Sequence, residues 1–280
     1  MSKDGKLVGK KALVPGSGTG IGREVALEFA RQGADVVLHY AHSIDGAESA
    51  VAEIQAMGRK AAVFKADFDR VDEVLQLAEN AIGFLGQVDC LINNAGITFN
   101  RPFGRVTLEQ FDRLYHVNIR AQFFLTQRIT EEMLKHGGGA VGNVTSIHGV
   151  SGAPEHSVYA GSKGAIIAYT RSLSVELAHK GIRVNAIAPG CIPVENYKNV
   201  LEGYDPAGIA EWTKNAIPIG RPGTPLEIAK IAVFLCSDDA GFIVGQTIVA
   251  DGGTTSLMSL ISDFRNESSA RFGKGYLPGI

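Results

Sequence analysis

A tyrosine and a lysine stand four residues apart in Tyr159-Ala160-Gly161-Ser162-Lys163, and Ser146 precedes the tyrosine by thirteen residues. On a helix over 157–179 the first two side chains lie one turn apart on the same face. An ammonium beside a phenol favours the phenolate, so this spacing predicts a Tyr159 pKa below its reference of about 10. A phenol tuned in this way is a candidate general acid or base. The same spacing also describes an ordinary surface pair on a helix, and the upstream sequence weighs against that reading.

Residues 10–16 form a short apolar run ending in a turn, followed by Gly16, Gly20 and Gly22 within GSGTGIGREVALEFARQG. Strand, glycine-rich turn and helix in this order let a backbone approach a pyrophosphate seated on helix N-terminal amides. Gly16, Ser17, Thr19, Gly20, Ile21 and Gly22 are the candidate contacts. A second strand, 35–40, ends at Tyr40, followed by Ala41, His42 and Ser43. Dinucleotide folds place a carboxylate near this point to bond a free ribose hydroxyl. None is present here, and Ser43 could cap a helix beginning near Ile44, whose free N–H groups suit a phosphate. The expectation is a mild preference for NADP(H) over NAD(H). It stays mild because no Arg or Lys lies between 34 and 58.

Further on come Asn93-Asn94-Ala95-Gly96, then Asn118, Ser146, the Tyr159/Lys163 pair and Pro189-Gly190. With the glycine motif ahead of them, these residues in this order resemble the short-chain dehydrogenase/reductase family over about residues 6–253. The closing stretch 245–253, GQTIVADGG, resembles that family's last strand and turn. The resemblance implies that Tyr159 exchanges a proton with the substrate oxygen and that Ser146 stabilises charge on that oxygen. It implies that Lys163 lowers the Tyr159 pKa and holds the nicotinamide ribose, and that Asn118 holds a water on a proton relay. Asn94, Ala95 and Gly96 would line the cofactor, Asp67 and Phe68 would flank the adenine, and Pro189, Gly190 and Ile192 would border the nicotinamide. Two positions depart from the family pattern, which often has threonine in both places. Pro15 lacks a backbone N–H, and Val194 cannot hydrogen-bond a carboxamide, for which Glu195 or Asn196 could substitute.

The chain has 280 residues, 45% of them apolar and 20% charged, which is ordinary for one large globular domain. A net charge of −2 argues against a nucleic-acid or anionic-membrane surface. The N-terminus lacks an apolar signal region, and no run approaches the roughly 20 apolar residues that span a bilayer. The expected location is cytoplasmic. Three unclustered cysteines speak against a disulfide framework or zinc site, and seven histidines without a ligand motif against a catalytic metal. Cys191 is either a pocket-lining thiol or a redox-sensitive one.

Alternating patterns place strands near 11–14, 35–40, 61–65, 88–92, 140–145, 182–187 and 247–250. Helices fall near 20–32, 45–57, 70–84, 107–135, 157–179, 207–215 and 225–236. This predicts an α/β fold, a Rossmann-like doubly wound parallel sheet of about seven strands with helices on both faces, in a single domain spanning 1–253. Gly16, Asn94, Ser146 and Pro189 all follow strands, where ligands of such sheets gather.

Two stretches should choose the substrate. Between Ser146 and Tyr159, His148 and His156 either read substrate hydroxyls or decorate a solvated loop. The second stretch, 191–217, contains Glu195 and Tyr197 in a Gly- and Pro-containing lid. Its polar content points to a sugar, polyol or other hydroxylated small molecule, an alcohol or ketone. A 3-oxoacyl thioester and a silent, cofactor-sensing binding role are the rivals. The apolar residues of 254–280 predict an extension packed on the domain or a neighbouring subunit. The resemblance implies a homotetramer paired through 107–135 and the Tyr159 helix, with Phe123, Phe124, Ile167 and Leu173 on the paired faces.

Overall fold

The structure, a computed structural model, describes residues 5–42, 44–195 and 205–257. Seven strands alternate with helices: β1 Lys11–Val14, β2 Asp35–Tyr40, β3 Ala61–Lys65, β4 Cys90–Asn93, β5 Gly139–Val144, β6 Ile182–Pro189 and β7 Thr247–Ala250. They form one wholly parallel sheet in the order β3-β2-β1-β4-β5-β6-β7. The chain winds outward from β1 to β3, then crosses back to lay β4 on the other side of β1. The two crossovers diverge there and leave a crevice at the carboxyl edge.

Side-chain alternation assigns the two faces. Ala12, Val14, Val36, Leu38, Cys90 and Ile92 join one core cluster; Leu13, Val37 and Leu91 join the other. On the first face lie α1 Gly20–Arg31, α2 Asp45–Ala56 and α8 Pro225–Cys236, packed through Val25, Phe29, Ile54 and Ile228. On the second lie α3 Val71–Leu85, α4 Leu108–Tyr115, α5 Gln122–Lys135 and α6 Ser157–Ala178. The helix α7, Pro206–Ala216, lies between β6 and α8 in the chain. Each fully buried Leu, Ile or Phe contributes roughly 1.5–3 kcal/mol, so both faces must be covered for the sheet to persist.

The helix expected over 107–135 is not one α-helix. Between α4 and α5 the segment His116–Ala121 takes a π-helical turn. Apolar spacing is nearly the same on either side, so periodicity does not reveal it. The face expected to pair subunits also needs correction. Ile167 is buried within its own chain, and Leu173 packs against the second cluster, whereas Phe123 and Phe124 are 38% and 40% exposed. Among the described residues, no helix is long and apolar enough to cross a membrane, and no three His, Cys, Asp or Glu gather as metal ligands would. Residues 258–280, most of the expected extension, lie outside the described residues.

Candidate active site

The carboxyl ends of β1, β4, β5 and β6 open on a cleft of about 710 Å³. Its floor at one end is the glycine-rich turn. Gly16 has φ +70, and a Cβ there would lie 2.8 Å from the Ala95 Cα; a Cβ on Gly22 would lie 2.2 Å from the Gly16 carbonyl oxygen. Only glycine lets β1, α1 and the strand end carrying Asn94 close to this distance. Asn94 Nδ2 donates to Gly16 O at 2.9 Å and to Pro15 O at 3.3 Å. Pro15 thus serves the turn through its carbonyl. Helix α1 begins after Thr19, which makes no side-chain cap, and its first turn carries no acidic residue. Uncapped amides at the positive end of a helix suit a pyrophosphate, so these residues fit a dinucleotide.

Thr19, Gly20 and Ile21 line the cleft, as do Ala41, His42 and Phe68. Asn94, Ala95 and Gly96 form its middle, and Pro189, Gly190 and Ile192 its far wall. Ser17 is fully buried behind the turn, where its Oγ accepts from the His39 N–H at 3.0 Å. Tyr40 and Asp67 are partly buried and outside the lining; Asp67 Oδ1 accepts from the Asp69 N–H at 2.9 Å. The N-cap of α2 is Ile44, without a side-chain cap. Ser43 and Tyr197 lie outside the described residues. Glu195 is exposed and does not line the cleft. Val194 does line it, and packs over Gly20: a Cβ built on that glycine would be 3.0 Å from Val194 Cγ1. Cys191 is a free, half-buried thiol whose pKa burial raises, shared between this cleft and an adjoining cavity of about 370 Å³.

His39, which sequence reasoning missed, bridges two strand ends at the cofactor end of the cleft. Its Nδ1 accepts from the Gly16 N–H at 3.0 Å, its Nε2–H donates to Ala66 O at 2.8 Å, and its ring packs on Phe68. A histidine one place before Tyr40, the expected ribose-binding position, in a strand otherwise buried through Val36, Val37 and Leu38, was the available signal. Burial pushes its pKa down to about 4. Between about 6.5 and 4 the unfolded chain therefore binds a proton that the native chain refuses. Stability is whole above pH 6.5 and is expected to fall by about 3 kcal/mol as pH drops to 4. Thermal midpoints across that window should fall more steeply for the wild type than for His39→Asn; equal slopes would refute this account.

At the other end, Ser146 follows β5 and opens a short turn, Ile147–Gly149, with its Oγ accepting from the His148 N–H at 3.2 Å. Tyr159 and Lys163 face the same space from α6. Lys163 is 4% exposed; its Nζ donates to Val144 O at 2.9 Å and sits 5.6 Å from the Tyr159 ring centroid. Burial pushes its pKa down to about 8. Thr145 Oγ donates to Lys163 O at 2.7 Å and pins the helix to the strand end. Asn118 sits on the π turn, fully buried. Its Oδ1 accepts from the Ile97 N–H at 2.8 Å and its Nδ2 donates to Ile97 O at 2.9 Å. A Cβ on Gly96 would lie 3.2 Å from Asn118 Oδ1 and 3.6 Å from Lys163 Nζ, so both polar ends border the space over that glycine. His148 and His156 line the cleft beside Tyr159, and Trp212, from the 191–217 stretch expected to choose the substrate, lines it as well.

Comparison with known proteins agrees with this geometry. A family profile described as Enoyl-(Acyl carrier protein) reductase matches residues 16–255. Tetrahydroxynaphthalene reductase of Pyricularia oryzae is 39% identical over 258 residues, covering 88% of this chain and 90% of that protein. Versicolorin reductase 1 of Dothistroma septosporum is 36% identical over 255 residues, covering 89% and 97%. The solved structure of 7α-hydroxysteroid dehydrogenase with NADH and 7-oxo glycochenodeoxycholic acid superposes with a TM-score of 0.82 at 38% identity, covering 88% and 94%. Fold, motif order and these relatives together make the protein an enzyme rather than a silent cofactor sensor: it belongs to the short-chain dehydrogenase/reductase family of NAD(P)-dependent oxidoreductases acting on CH–OH groups.

Proposed function

We propose that the enzyme reduces a ketone on a hydroxylated ring compound to the secondary alcohol, preferring NADPH. The observation that carries this reading is the meeting of Ser146, Tyr159 and Lys163 on one wall of a cleft whose other end fits a dinucleotide. The bound nicotinamide would supply the hydride. Tyr159 gives its phenolic proton to the substrate oxygen, and the Ser146 hydroxyl donates to the same oxygen as charge develops on it. Ser146 Oγ already accepts from the His148 N–H, which leaves its own hydrogen for that task. Lys163, held by Val144 O, keeps a positive charge at the Tyr159 ring and would hold the nicotinamide ribose. Asn118, locked on Ile97, presents its Oδ1 across Gly96 from Lys163 and would seat a relay water there.

A ring compound is favoured over a sugar or polyol. The walls carry Ile97, Val117, Ile147, Ile192 and Trp212, apolar surface suited to a flat ring, with the imidazoles of His148 and His156 as polar groups. The hydroxynaphthalene and versicolorin reductases similar to this chain are named for such compounds. A panel of cyclic ketones, open-chain sugars and 3-oxoacyl thioesters, assayed with both cofactors, tests the reading; turnover confined to the sugars or thioesters would refute it.

The cofactor preference rests on Tyr40 and Ala41 at the end of β2, where no carboxylate stands to repel a 2′-phosphate. Tyr40→Asp should shift the ratio of kcat/KM toward NADH by about tenfold or more, since one unpaired like charge at close range costs over a kcal/mol. A wild type that already prefers NADH would overturn this. The enzyme is further proposed to be a homotetramer, joined in part through Phe123, Phe124 and the 77% exposed Val175. Light scattering at micromolar concentration should return four chain masses; a monomer mass would refute it.

A further inference from the structure

Two histidines from different segments stack face to face beside the tyrosine. The rings of His148 and His156 lie 4.5 Å apart at 11°, and both stand edge-on to Tyr159, at 5.7 and 6.4 Å between centroids. Neither position is left to chance. His148 follows Ser146 in the turn Ile147–Gly149, and that turn is pressed on α6: a Cβ on Gly149 would lie 2.9 Å from the Lys163 backbone. His156 is presented by a strained turn. Glu155 has φ 63, the one described non-glycine residue with positive φ, and the Arg101 N–H holds its carbonyl at 3.0 Å. A strained backbone fixed by a contact from another loop persists where something gains from it.

The hydrogen bonding of the pair decides what it offers. His156 Nδ1 meets the Pro154 carbonyl at 2.8 Å. A carbonyl only accepts, so Nδ1 carries the hydrogen and neutral His156 presents a bare Nε2, an acceptor. His148 Nδ1 is buried without a hydrogen-bond partner. A buried polar atom left unpaired is costly, and a turn of the ring toward a bound oxygen would relieve it. Burial, and next the neighbouring His156, lower the His148 pKa, which favours the neutral form of that ring. An unpaired ring nitrogen beside an apolar wall suits a hydroxyl that can donate.

We infer that the His148–His156 stack is a specificity element that binds a second oxygen of the substrate, a phenolic hydroxyl on the same ring system as the reacting ketone. Tyr159 and Ser146 engage the reacting oxygen, and His156 Nε2 accepts from the hydroxyl within the span of one fused bicycle. The inference rests on the ring-ketone reductase reading and specifies its substrate: a ketone that also bears an acidic hydroxyl.

The test pairs substrates with variants. β-Tetralone and its monohydroxylated isomers are compared for kcat/KM, and for binding to the cofactor-loaded enzyme by calorimetry. Wild type should favour at least one phenolic isomer by about tenfold, mainly through KM, because a site built for a hydroxyl discriminates against its absence. His156→Phe keeps an aromatic ring for stacking and removes the acceptor. It should abolish that preference by raising KM for the phenolic isomer, with an unchanged thermal midpoint. His156→Gln, which restores an acceptor, should recover part of the preference. No preference for any isomer in the wild type, or an equal preference in His156→Phe, would overturn the inference; if His156→Phe does not fold, an equal preference in His148→Phe does so instead. Preferential binding of the phenol without turnover of any ketone would support the histidine site while sinking the reductase reading.

Discussion

Tyr159→Phe is expected to lower kcat by at least about a hundredfold and leave cofactor affinity within about twofold. The phenylalanine keeps the ring that lies near Lys163 Nζ and edge-on to His148, so packing should not change. What it removes is the phenolic hydroxyl proposed to give a proton to the substrate oxygen. A hundredfold loss corresponds to about 2.7 kcal/mol of transition-state stabilisation, a usual share for a positioned general acid. The glycine-rich turn, Asn94 and the α1 N-terminus, at the end of the cleft proposed to hold the cofactor, are left untouched by the substitution. Stopped-flow turnover and fluorescence titration with NADPH separate the two quantities. A variant that keeps more than about a tenth of wild-type kcat would remove Tyr159 from the proton transfer.

The sheet could be read from the chain because its signals are local and repeated. Runs such as 35–40 and 61–65 are short and largely apolar, and the structure places β2 and β3 on those residues. The helix expected near 225–236 is α8, Pro225–Cys236, whose start the structure closes with a Thr224 and Glu227 capping box. The chemistry-bearing residues were legible by type and order, because Tyr159, Lys163 and Ser146 have few reasons to recur together. What escaped were contacts between segments distant in sequence. Nothing in a 3.6-residue period marks the π turn at His116–Ala121, from which Asn118 reaches both backbone groups of Ile97. His39 read as one more strand residue, since its partners Gly16 and Ala66 come together only once β1, β2 and β3 pair. Ile167 looked outward on a helix whose neighbours were unknown; the turn at Gly149, tucked against its Cδ1, covers it within the chain.

Lys163→Met should make the protein more stable and nearly inactive. The ammonium is buried, donating to Val144 O, and its pKa falls to about 8 because burial disfavours the charge. The native pKa lies below the unfolded value near 10.4, so the unfolded chain binds more protons between the two. Stability therefore rises with pH from about 8 to 10.5, and below pH 8 the full cost of holding the charge, about 3 kcal/mol, is present. Methionine fills similar volume without charge, and replacing a buried charged group by a well-packed apolar one often stabilises. At pH 7 the variant should melt several degrees above the wild type, and the pH 8–10.5 slope should flatten. Turnover should fall more than a hundredfold, because the phenol of Tyr159 loses its neighbouring cation and the ribose its donor. In the wild type, kcat/KM for reduction should decline as pH rises through about 8, where the ammonium is lost. A destabilised Lys163→Met that keeps the wild-type pH slope would show that the lysine is tolerated for packing; a stable, inactive one would show that the fold carries this charge for its chemistry.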